Sequence, residues 1–93
     1  MVIYVKLSPT ATATFDNLPR EEQRKARIAI DRLKTGQEEL LKPHFINRNQ
    51  GLKRGDVSKK IKVIYKVSST GIDVINFVNF RHLAGLVTTS QGA

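Results

Sequence analysis

The sequence predicts one small α+β domain: an N-terminal strand, a two-helix hairpin, then an antiparallel sheet of three or so strands, with the helices on one face. Three observations carry this prediction. Residues 58–67, SKKIKVIYKV, alternate apolar and basic side chains, the period of a half-buried strand. Residues 19–34 repeat apolar side chains at helical spacing. Strand-like and helix-like stretches segregate along the chain instead of alternating. A chain of 93 residues holds one hydrophobic core and not two. The domain is expected over 1–87, with the small polar residues 88–93 as a flexible tail.

Residues 2–7, VIYVKL, are rich in β-branched and aromatic side chains and read as the first strand. Ser8 is placed to cap a helix that begins at Pro9, where a missing N–H costs nothing. That helix runs to about Asn17, with Ala11, Phe15 and Leu18 on one face. Pro19 opens the second helix, to Lys34, in which Ala26, Ala29, Ile30 and Leu33 form the apolar stripe. Glu21 and Glu22 suit its positive N-terminal end, and Gly36 can supply a left-handed C-cap. Residues 37–41 fit a short helical turn. Between Pro43 and Asp56 turn formers dominate, and a strand is expected near Gly51-Leu52. In the alternating strand, Ile61, Val63, Tyr65 and Val67 face one way. Lys60, Lys62 and Lys66 face the other, with Ile64 among them. A four-residue loop, 68–71, leads to 72–80, IDVINFVNF, which is apolar on both faces and therefore central.

Composition excludes several classes. There are no cysteines, so no disulfide framework or thiolate metal site, and two histidines cannot make a zinc site alone. Neither metal nor cofactor is expected. No apolar run reaches the roughly 18 residues of a membrane span, and the N-terminus lacks the pattern of a signal peptide. A soluble, cytoplasmic protein is the expectation. The net charge is +8, and its distribution says more than its size. Residues 42–66 hold eight basic side chains and one acid, Asp56. Such clustering is the electrostatic footprint of a phosphate-binding surface.

This order of elements, with these residues, resembles the RelE/ParE superfamily of bacterial toxin–antitoxin toxins. The likeness spans roughly 2–83. It rests on the helical hairpin with its Asn17-Leu18-Pro19 turn, on Ile30-Asp31-Arg32-Leu33 at the end of the second helix and on the basic segment. It rests further on Ile61-Lys62-Val63-Ile64-Tyr65 and on a last apolar strand, Val74–Val78, ending at Arg81-His82. The resemblance implies a toxin neutralised by a cognate, acidic antitoxin in a hetero-oligomer. It leaves two targets open. The RelE, YoeB, HigB and YafQ types cleave messenger RNA, mostly on the ribosome; the ParE type poisons DNA gyrase. A non-catalytic nucleic-acid-binding module is a third reading, with Phe45 as a thin stacking platform.

Metal-independent RNA cleavage needs a group to take the 2′-hydroxyl proton, a cation for the pentavalent phosphate and an acid for the leaving 5′-oxygen. Histidine suits proton transfer, and lysine or arginine suits charge stabilisation. The resemblance assigns catalytic roles to Lys62, Arg81 and His82. Lys62 stands where the nuclease members usually carry arginine, and it cannot make arginine's bidentate fork. Lys53, Arg54, Lys60, Lys66 and His44 are candidate RNA and phosphate contacts. The RelE-type tyrosine after the last strand has no counterpart, which makes His82 the proton-transfer candidate.

Overall fold

The structure, a computed structural model, describes residues 3–79. Strand β1 (Val5–Leu7) leads into helices α1 (Pro9–Asn17) and α2 (Arg20–Lys34) and a 3₁₀ turn, Glu38–Leu41. Strands β2 (His44–Asn47), β3 (Leu52–Asp56), β4 (Ile61–Ser68) and β5 (Gly71–Asn79) follow. They form one five-stranded sheet in the order β1-β5-β4-β3-β2. β1 lies parallel to β5, and the other pairings are antiparallel. The α+β class and its order agree with expectation. The sheet is larger than the three or so strands expected, and it is mixed. β2 escaped notice because all four of its residues are exposed, so the edge strand has no apolar alternation to read.

Local chemistry sets the helix ends. Ser8 Oγ accepts the Ala11 N–H at 3.0 Å and donates to the Ile75 carbonyl at 2.6 Å. Pro19, the expected first residue of α2, is instead its N-cap, so the helix starts one residue later, at Arg20. The Gln23 side-chain amide donates to the Phe15 carbonyl at 2.9 Å, which fastens the end of α1 to α2. At the C-terminus Gly36 takes φ +75°. Its N–H reaches the Leu33 carbonyl at 3.5 Å and that of Gln37 reaches the Arg32 carbonyl at 2.8 Å, a Schellman closure.

One face of the sheet takes the helices. Ala11, Ala26, Ala29, Leu33 and Leu41 pack on Ile61, Val63, Tyr65, Ile72, Val74 and Phe77. β5 keeps Val74 and Phe77 on this face despite their odd spacing, because Ile75 is an extra residue between the Tyr65–Val74 and Ile64–Asn76 pairs. The loop joining β4 and β5 has two residues, Ser69 and Thr70, since Ser68 and Gly71 already pair. Among the described residues no helix is long and apolar enough to cross a membrane.

Candidate nucleic-acid interface

The alternation that sends Ile61, Val63 and Tyr65 into the core sends Lys62, Ile64 and Lys66 to the opposite face, which no helix of the described residues covers. Strand register arranges that face in rows. His44 of β2, Arg54 of β3, Ile64 of β4 and Asn76 of β5 form the middle row. Asp56, Lys62 and Val78 form the row on one side. Leu52, Lys66, Asp73 and, on β1, Lys6 form the row on the other. Four of the candidate residues, His44, Arg54, Lys62 and Lys66, are thereby gathered on one surface from separate stretches of sequence.

The ammonium of Lys62 is ion-paired with Asp56 beside it in the same row. The lysine side chain is 15% exposed and the aspartate 42%, so the pair sits at the face's surface with the cation the more enclosed partner. Asp56 was not among the residues singled out by sequence. Its signal was available, since it is the sole acid of the basic segment. No cluster of three or more metal-ligating side chains occurs among the described residues.

Two candidates lie elsewhere. Lys53 neighbours Arg54 in sequence, so it points to the other side of the sheet. There its ammonium meets Glu38 Oε2 at 2.7 Å, and the Tyr65 hydroxyl donates to the same oxygen at 2.6 Å. Burial pushes the Glu38 carboxyl up, but the two hydrogen bonds and the Lys53 charge outweigh it and hold the group below its ordinary value. Burial, and then the bond to Glu38 and its charge, push the Tyr65 phenol upward. The Lys53 ammonium also lies 4.9 Å from the centre of the Phe45 ring, and the Arg48 guanidinium lies 4.6 Å from it. Lys60 belongs to the turn before β4, not to the strand. Its backbone N–H donates to Ser58 Oγ, and its side chain lines a recess on the helix side with Leu18, Ile61 and Phe77. Arg81 and His82 lie outside the described residues.

Helices on one face of a mixed sheet and a cationic open face on the other define a class of small α+β domain. The fold is that of the RelE-like toxins. A chain of the Escherichia coli DinJ–YafQ toxin–antitoxin complex superposes with a TM-score of 0.71 at 12% identity, covering 89% of this chain and 98% of that one. A chain of the RelB–RelE antitoxin–toxin complex from Methanococcus jannaschii gives 0.71 at 10% identity, over 87% and 96%. A chain of the YoeB–YefM complex from Staphylococcus aureus gives 0.65 at 14%, over 84% and 97%. No family model and no curated protein matches the sequence.

Proposed function

We propose that the chain is the toxin of a toxin–antitoxin pair and acts as a metal-independent endoribonuclease on messenger RNA, on the ribosome. The observation that carries this reading is the convergence of Arg54, Lys62, Lys66 and His44 on a sheet face that no helix of the described residues covers. An extended RNA backbone laid across these strands meets a cation in each row. Arg54 can grip the scissile phosphate through two N–H groups, and Lys62 supplies a point charge for the extra negative charge that develops on its non-bridging oxygens in the pentavalent state. Asp56 fixes where that ammonium points. The 2′-oxygen attacks phosphorus as the bond to the 5′-oxygen breaks, leaving a 2′,3′-cyclic phosphate. Proton transfer falls to His82, with His44 as the histidine of the middle row and Arg81 as a further cation. Tyr65 takes no part in this reading, because it is buried on the helix side and bound to Glu38.

The neutralising partner in this reading is an acidic protein, which the net charge of +8 favours electrostatically. The deciding experiment is primer extension on a defined messenger in a purified translation reaction, with and without ribosomes. Cuts at fixed codon positions that need ribosomes are expected. Cuts without ribosomes would mean a free ribonuclease. Intact messenger, together with a block of gyrase supercoiling, would replace this reading with the gyrase-directed one.

A further inference from the structure

The bulge at Ile75 interrupts the alternation of β5. Val74 and Phe77 are buried, and both Ile75 and Asn76 lie between them. Regular alternation after Val74 would turn residue 76 into the core; the extra residue turns it to the open face. The distortion is held from outside the strand. Ser8 donates its hydroxyl to the Ile75 carbonyl at 2.6 Å and its N–H to the Val74 carbonyl at 2.9 Å. It is also held from within, since Asn76 Oδ1 accepts the Phe77 N–H at 2.9 Å. That bond orients the amide, because only its oxygen can meet an N–H. The Nδ2 amino group has no hydrogen-bond partner among the described residues and is not buried. The bulge thus presents a fixed amino group, with the amide oxygen already engaged, at the β5 end of the row His44, Arg54, Ile64, Asn76.

We infer that Asn76 reads the base joined to the phosphate that Arg54 grips, and that it selects a keto base, guanine or uracil, over an amino base, adenine or cytosine. The inference rests on the nuclease reading of the preceding subsection and adds a base preference to it. Neighbouring strands stand roughly 4.8 Å apart, so Arg54 of β3 and Asn76 of β5 are separated by about 10 Å along the row. A nucleotide spans that distance from its phosphate to the outer edge of its base. Ile64 lies between the two and offers an apolar ledge for the base plane. Guanine O6 and uracil O4 accept a hydrogen bond from Nδ2. The amino groups of adenine and cytosine bring a donor against a donor, and both are left unpaired as the base covers them.

The test uses the full chain in the same translation reaction, on messengers that differ at one codon position at a time, U against C and G against A. At one position the keto base is expected to give cutting about tenfold faster than its amino counterpart. Asn76→Asp keeps an oxygen for the Phe77 N–H and puts a second acceptor where the amino group stood. It should reverse the preference at that position, whatever it does to the overall rate. Asn49→Asp, the same change at an exposed site in the β2–β3 turn, should leave the preference as it is. Should Asn76→Asp fail to give the wild-type melting curve, the wild-type chain on a messenger with 2-aminopurine in place of guanine decides, because that base has no O6. Cutting about tenfold slower is expected there, and an unchanged rate overturns the inference. No preference in the wild type, or the same preference in wild type and Asn76→Asp, overturns the base reading and spares the nuclease. Absence of any cut by the wild-type chain removes the nuclease reading and this inference with it.

Discussion

Lys53 and Arg54 show how much a single position decides. The two are adjacent and both basic, yet the pleat sends them to opposite faces. Lys53→Met should therefore cost stability, about 1–3 kcal/mol by urea denaturation, because it strips a part-buried carboxylate of its cation. Lys62→Ala should leave the melt close to wild type and, under the proposed nuclease reading, lower cleavage by about 10²–10³-fold, the usual loss for one donor to a developing oxyanion. The Glu38 cluster also sets a pH window. Glu38 releases its proton more readily when folded, so the unfolded chain binds more protons in acid. Its stabilisation is full above the unfolded carboxyl value of about 4.3 and is lost as pH falls through the lower folded value. Tyr65 has the opposite sign. Its folded phenol holds the proton longer, so stability is full below the unfolded value of about 10 and is lost as pH rises. In melts across pH, Glu38→Gln should flatten the acid limb and leave only the part of the alkaline limb that burial causes.

At the scale of elements, the ends of α1 and the closure of α2 were legible because their signals are local. Ser8, Pro9 and Gly36 act within a few residues of themselves. The second role of Ser8 was not legible, since the Ile75 carbonyl it serves lies 67 residues away. Ser8→Ala should cost about 1–2 kcal/mol, at the upper end for a lost cap, because it also leaves the bulged strand's carbonyl without its hydroxyl partner. Gly71 is a comparable junction. It takes φ +146°, and a Cβ there would stand 2.4 Å from the Tyr4 carbonyl oxygen, which accepts the Ile72 N–H at 2.9 Å. Gly71→Ala should loosen β1 from β5, read as faster amide exchange at Ile72 and a lower melting temperature. β2 is the missed element. HFIN is too short and too exposed to differ from a loop until β3 is laid beside it.

At the scale of the molecule, charge is the property that composition fixes and the fold then distributes. Cations of the basic segment divide between the open face, the turn before β4 and the Glu38 cluster, so clustering in sequence overstates clustering in space. Under the proposed nuclease reading, RNA affinity should fall steeply with salt, and Arg54→Met should reduce the slope of log K against log salt by about 0.7, the value for one single-strand phosphate contact. Lys60→Met, in the turn, should leave that slope nearly unchanged; an equal change in both would remove the distinction between face and turn.

The sequence by itself determined the α+β class, the two helices with their caps, the alternating strand β4 and the excess of positive charge. Each follows from neighbours within one or two turns of chain, where periodicity and capping act. Only the tertiary structure decided that β1 pairs in parallel with β5, that β2 exists, that Lys53 leaves the surface shared by Arg54 and Lys62, and that Asp56 holds Lys62. Those outcomes depend on strand register between distant segments, and register turns on which face of a strand is buried. A one-residue shift reverses that assignment without altering composition.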